Sequence, residues 1–182
     1  MSRIPVQSLE TAPEQARSTL ERLARRSGKL LNIHAEMAHA PVVLAAYAAM
    51  TEALAKESSF DARTREAIAL AVGAQDGCDY CQAAHTPEAI RSGLSEAETI
   101  AIRRGDLAFD PKLAALLALV REAAANVGDV CDVTWKTAQQ VGWSDVELSE
   151  AFAHLAANLF TNFFNHYART DLDVPAAPPL AP

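Results

Sequence analysis

Cys78-Asp79-Tyr80-Cys81, with His85 four residues further on and Glu66 twelve residues before, sets two thiols, a base and a carboxylate in one short stretch. Cysteines three apart share a side of a helical turn and can bridge with modest adjustment, so the pair can cycle between dithiol and disulfide. A two-electron redox centre is the first expectation. The thiolate is the reactive form, and a free thiol with a pKa near ~8.5 is mostly protonated at neutral pH, so the site must stabilise negative charge. A helix starting at the CxxC turn would aim backbone N–H groups and the positive end of its dipole at the sulfurs. His85 follows Cys81 by one turn, and helical side chains lean towards the N-terminus, so its imidazole is expected over the Cys81 sulfur. Glu66, on the preceding helix, could orient His85 or hold a relay water. Cys81 is accordingly the expected attacking thiolate and Cys78 the resolving one. That order rests on His85 alone, and the reverse stays open.

Two other readings of the pair stay open. Both cysteines could simply pack in a core, since buried thiols are common. Zinc could be held by Cys78 and Cys81 with His85 as a third ligand, but no second Cys/His pair stands at finger-like spacing and Cys131 is isolated. A thioredoxin fold would need strand–helix alternation, which the sequence lacks. No metal and no cofactor are expected.

The elements that must position these groups read as all α in a single domain. Thr11 with Glu14 forms a capping box, with Pro13 in the first turn, for a helix that ends at Gly28. A short segment from Ile33 to Ala38 leads to Pro41, which suits the first turn of the next helix. Asp61 caps a helix carrying Glu66 that ends near Gly77, and Cys81 lies inside the one after it. Pro87 is expected to kink or restart that helix after His85, because its ring removes a donor and clashes with the Ala83 carbonyl. Ser95 with Glu98, Asp110 before Pro111, and Ser144 with Glu147 start three more helices, the last running from Asp145 to Arg169 with Trp143 and Leu148 as its hydrophobic staple. The boundaries are an N-terminal arm over 1–12, a helical domain over 13–172 and a proline-rich tail over 173–182 that cannot sustain helix and is extended or disordered.

Composition bounds the function. At 182 residues, half of them apolar, the chain can bury a core without disulfide staples, which frees its three cysteines for chemistry. A sparse, odd cysteine count points to a reducing cytoplasm. No apolar run of membrane-spanning length and no secretion signal is seen. A net charge of −7 without basic clusters argues against nucleic acid as a partner.

Other chemistry-bearing residues read as structural. Asn158, Thr161, Asn162 and Asn165 form a polar stripe on the last helix, expected first to be a hydrogen-bonded packing seam, an interface between copies included, with the lining of the active-site pocket as the alternative. His154 and His166 are expected to be satisfied structural histidines. His34 and His39 flank Glu36 without metalloprotease spacing and are assigned a solvated or interface role. Cys131 reads as an inert thiol.

The motif E-x11-C-x2-C-x3-H on Glu66, Cys78, Cys81 and His85 resembles the alkylhydroperoxidase D-type branch of the carboxymuconolactone decarboxylase-like family. The Ala40-Pro41 helix start and the run from Leu159 to His166 before Asp171 resemble that family's peroxidase-related members, so the likeness covers about 13–173. The resemblance implies an all-helical bundle and a homo-oligomer: a dimer, trimer or hexamer. It also implies hydroperoxide reduction by the cysteine pair, with recycling by an external dithiol or a lipoylated protein. Tyr80 departs from the best-known member type, which has histidine there. It could still donate a hydrogen bond as an auxiliary group. The decarboxylase branch works on a lactone without a CxxC pair, so a lyase is the alternative reading, beside a zinc-binding or redox-sensing protein without catalysis.

Overall fold

The structure, a computed structural model, describes residues 1–180. Among them are nine helices and no strand: α1 (Glu14–Ser27), α2 (Asn32–Met37), α3 (Pro41–Glu57), α4 (Ala62–Gln75), α5 (Asp79–Arg91), α6 (Glu96–Arg104), α7 (Pro111–Ala125), α8 (Asp132–Gln140) and α9 (Asp145–Ala168). None is long and apolar enough to cross a membrane.

Four of the nine helix starts among the described residues lie where a short polar side chain can bond the free N–H groups of a first turn. Asp61 accepts from Thr64 N, Asp110 accepts from Leu113 N, and Ser95 and Ser144 each close a capping box with Glu98 and Glu147. Such caps stabilise a helix by about 1 kcal/mol each. Trp143 and Leu148 are both buried in one core cluster, and the indole N–H donates to Lys112 O at 2.8 Å.

α4 is the axis of the bundle. From Ala67 to Gly73 every residue is buried, and the helix packs against α5, α6, α7 and α9. Its small side chains allow this. A Cβ on Gly73 would sit 3.3 Å from Cys81 Cβ, so glycine there permits the close approach of α5 at the CxxC turn. One core cluster joins Ile68, Leu70 and Val72 to Ile102, Leu116, Leu117 and Leu148. A second joins Leu20, Leu23, Met37 and Leu44 of α1–α3 to Cys78, Tyr80 and Cys81. The CxxC turn is therefore the floor of the second core.

Two expectations are corrected, and one helix went unread. Thr11 makes no capping box with Glu14; its hydroxyl accepts from Ser8 N at 2.9 Å in a preceding turn, and Pro13 occupies the N-cap. α5 runs unbroken from Asp79 to Arg91 through Pro87, whose ring lies at an exposed position of the helix. α8 carries no polar side-chain cap, since its N-cap is Cys131, and so gave no start signal.

The N-terminal segment clasps the end of α9: Arg3 N donates to Ala168 O at 2.7 Å, and Ser2 N donates to Asp171 Oδ2 at 3.0 Å. The tail expected over 173–182 is a non-helical arm as far as Leu180, fastened to the domain; Ala181 and Pro182 lie outside the described residues.

Candidate active site

α4 and α5 form an antiparallel hairpin through Gly77, whose φ of +64° glycine adopts without strain. Cys78 N donates to Gly73 O at 2.9 Å, which closes the turn and makes Cys78 the N-cap of α5. Cys78 and Cys81 are bridged, with Cα atoms 5.3 Å apart. The Cys81 N–H points at Cys78 Sγ from 3.2 Å, so the first cysteine receives the helix N-terminus. Both residues are almost fully buried, at 1% and 3% exposure.

α9 closes the site from above. Asn165 Nδ2 donates to Cys81 Sγ at 3.3 Å and lies 3.8 Å from Cys78 Sγ. Asn162 donates to Asp76 Oδ2 at 2.6 Å and His166 Nε2 to Asp76 O at 3.0 Å, pinning the turn just before the cysteines. Two members of the α9 polar stripe, Asn162 and Asn165, therefore hold and line the thiol site, the second of the two readings drawn from the sequence. Asn165 faces sulfur and Asn162 the turn's carboxylate because α9 crosses the α4–α5 hairpin, while Asn158 donates to His154 O within α9.

His85 Nδ1 lies 2.8 Å from Glu66 Oε2. Burial lowers the imidazole pKa, but the Glu66 carboxylate outweighs it with help from Glu88, and the net shift is upward. The hydrogen bond to Cys81 sulfur comes from Asn165, and His85 is turned towards Glu66. Glu66, His85, Cys81 and Tyr80 nevertheless line one pocket of about 440 Å³, together with Tyr47 and Asn165. A separate pocket of about 350 Å³ reaches Cys78 from the other side, between Asn165, His166 and Arg169. A third, of about 240 Å³, meets Glu66 and His85 from beyond, where His154 and Arg65 stand.

Tyr80 points away from the relay. Its hydroxyl donates to Asp173 Oδ1 at 2.6 Å, and burial, then that carboxylate, hold its pKa far above the usual phenol value. His34 is 3% exposed, which corrects its solvated assignment: burial first, and Arg26 second, lower its pKa to about 4, and its Nε2 shares a hydrogen bond with Tyr47 Oη at 3.3 Å. The ring lies against the second core cluster because α2 turns inward beneath α3. Tyr47 carried no signal beyond its place on the apolar face of α3, and Asp173 none beyond the tail. His154 is held by Ser58 Oγ at 3.1 Å and by Glu150, as a structural histidine. His39 is exposed and bonded to Pro5 O. Cys131 is an exposed free thiol at the start of α8, 3.4 Å from Thr134 Oγ1. Among the described residues no cluster of three or more His, Cys, Asp or Glu is arranged to hold a metal.

Residues 41–122 match the carboxymuconolactone decarboxylase family, a stretch from the start of α3 into α7 that contains Glu66, Cys78, Cys81 and His85. No functionally curated protein matches the chain. Solved structures extend the likeness to the whole fold. An alkylhydroperoxidase D core, an uncharacterised peroxidase-related protein from Ralstonia eutropha JMP134, superposes with a TM-score of 0.84 at 21% identity, over 94% of this chain and 92% of that one. The debrominase Bmp8 in complex with 2,3,4-tribromopyrrole gives 0.80 at 16% identity, over 94% and 91%. An uncharacterised peroxidase-related protein from Silicibacter sp. TM1040 also gives 0.80 at 16% identity, over 93% and 91%. The fold is thus that of the alkylhydroperoxidase D-like helical proteins. The family resemblance read from the sequence holds, with the carboxymuconolactone decarboxylase segment at 41–122 carrying the thiol motif.

Proposed function

We propose that the chain is a thiol-dependent peroxidase that reduces organic hydroperoxides at the Cys78–Cys81 pair. The observation that carries this reading is one pocket that brings Cys81, already within bonding reach of Cys78, together with the Glu66–His85 pair. In the reduced enzyme His85 takes the Cys81 proton, and the thiolate attacks the distal peroxide oxygen. The O–O bond breaks, an S–O bond forms, and the alkoxide leaves as alcohol with the proton from His85. Cys78, deprotonated in turn, attacks the Cys81 sulfenic acid; the S–S bond forms and hydroxide leaves as water. Two electrons have passed from the dithiol to the peroxide.

An external dithiol then attacks Cys81 and expels Cys78, whose departing thiolate is stabilised by the Cys81 N–H. A small dithiol or a lipoyl group fits this task, and a reducing cytoplasm would keep the cycle running. Tyr80 supports the site by holding the arm rather than by moving protons.

Peroxide consumption measured with dihydrolipoamide and thioredoxin as alternative reductants tests the proposal. Turnover that disappears in Cys81→Ser supports it. Bromide release from 2,3,4-tribromopyrrole without peroxide turnover would replace it with reductive dehalogenation. Lactone decarboxylation surviving thiol blockade would replace it with a lyase.

A further inference from the structure

The pocket of about 440 Å³ beside Cys81 is many times larger than hydrogen peroxide, and its lining carries an uneven set of charges. Glu66 is matched by His85 at 2.8 Å, Glu88 by Arg91, and Lys29 by Asp173 at 3.3 Å. Arg26, at the end of α1, makes no ion pair with a carboxylate among the described residues. Its guanidinium lies instead against the hydroxyl of Tyr47, itself bonded to His34. Tyr47 and imidazole contribute no negative charge there. The rest of the wall is largely apolar, with Leu31, Ile33, Ala84, Val174 and Pro175 along it.

From this we infer that the substrate is an amphipathic hydroperoxide bearing a single carboxylate, which pairs with Arg26 while its hydrocarbon body lies along the apolar wall towards Cys81. The inference rests on the peroxidase reading for the reaction, but not for the anion site. An arginine fork matches a carboxylate with two parallel hydrogen bonds. One uncompensated cation fits one negative charge; a phosphate monoester, with nearly two, would be left half-neutralised. An apolar wall of this kind adds affinity in proportion to the hydrocarbon it covers.

Two measurements decide it. In the first, linoleic acid hydroperoxide and its methyl ester are compared as substrates with dihydrolipoamide as reductant. The acid should be favoured in kcat/KM by about tenfold, the preference should shrink with added salt, and Arg26→Gln should bring the acid down to the ester's value. Arg22→Gln, an exposed arginine paired with Glu52 on the neighbouring surface, should keep the preference. In the second, calorimetry follows binding of redox-inert dodecanoate and methyl dodecanoate to the wild-type and Arg26→Gln proteins, each first shown to be folded by circular dichroism. Stronger dodecanoate binding that is lost in Arg26→Gln supports the site even if no peroxide is turned over, in which case the peroxidase reading alone fails. Equal handling of acid and ester, or a preference that survives Arg26→Gln, overturns the inference.

Discussion

The hydroxyl of Tyr80, which stands between the two cysteines, donates to Asp173 Oδ1 at 2.6 Å, so the C-terminal arm is tied to the CxxC turn itself. Asp173 also pairs with Lys29 and accepts from Asn32 N at 3.3 Å, and further along Arg103 Nη1 donates to Pro178 O at 2.6 Å. Val174 and Pro175 between these anchors form part of the pocket wall. A helix-free strap thus covers a disulfide whose two residues are otherwise sealed in the core.

Thiol–disulfide exchange needs the attacking sulfur to reach the bridge, so the strap should limit large reductants more than small ones. Deletion of residues 173–182 is expected to speed reduction of the Cys78–Cys81 bridge by thioredoxin severalfold, with a smaller change for dithiothreitol. Tyr80→Phe should act in the same direction but more weakly, since it removes one charge-assisted hydrogen bond of about 1.5–3 kcal/mol and keeps the ring packing. Stopped-flow reduction rates check both. Equal effects on the two reductants would mean that access lies elsewhere.

Asn165 should tune the second thiol. Its amide N–H donates to Cys81 Sγ at 3.3 Å within a buried setting, and such a donor favours the thiolate. Asn165→Ala is expected to raise the Cys81 pKa and slow its alkylation at neutral pH by about fivefold, in line with one lost hydrogen bond of roughly 1 kcal/mol. The rate measured against pH in a Cys78→Ser background reads this directly. An unchanged curve would reduce Asn165 to a packing role.

What the sequence disclosed and what it concealed divide by range. Asp61, Ser95, Asp110 and Ser144 were legible because a cap acts within three residues of itself. Cys78, Cys81, His85 and Glu66 lie on one helical hairpin, so spacing alone brought them together. The partners that complete the site come from far away in the chain: Asn165 is 84 residues from Cys81, and Asp173 is 93 from Tyr80. No local periodicity encodes such a pairing. The α9 amides read first as a packing seam, because only the crossing of α9 over the hairpin brings Asn162 and Asn165 to the cysteine turn. Pro87 misled because α5 carries its ring at an exposed position, and which positions of a helix are exposed is set by tertiary packing.

Self-association is expected from the outer face of α9. Phe152, Phe163 and Tyr167 are 64%, 59% and 72% exposed there, and Val42 on α3 is 74% exposed. Large apolar side chains grouped in this way gain from cover by a second surface. A homo-oligomer should appear in multi-angle light scattering at micromolar concentration, and the double substitution Phe163→Asp with Tyr167→Asp should shift it towards monomer. A wild-type monomer would remove this expectation.

The Glu66–His85 pair makes opposite demands on stability and catalysis, and pH separates them. Because Glu66 outweighs burial and raises the His85 pKa, the ion pair's contribution to stability is fully present below the unfolded value of about 6.5 and is lost as pH rises through the raised folded value. In the proposed mechanism the base that takes the Cys81 proton is neutral imidazole, so activity should climb over the window in which that stabilisation disappears. Glu66→Gln leaves burial unopposed by the nearby carboxylate and lowers the His85 pKa. The acid limb of kcat/KM should therefore move to lower pH, and thermal stability should fall below the wild type at slightly acid pH while converging with it at alkaline pH. His85→Gln should cost about 100-fold in kcat/KM for peroxide with the fold intact. Alkylation rates against pH in Cys78→Ser and Cys81→Ser backgrounds then show which thiol the imidazole serves. If His85→Gln moves only the Cys78 curve, the attacking and resolving cysteines exchange roles; if it moves neither, His85 is a structural partner of Glu66 and proton transfer must come from another group in the pocket.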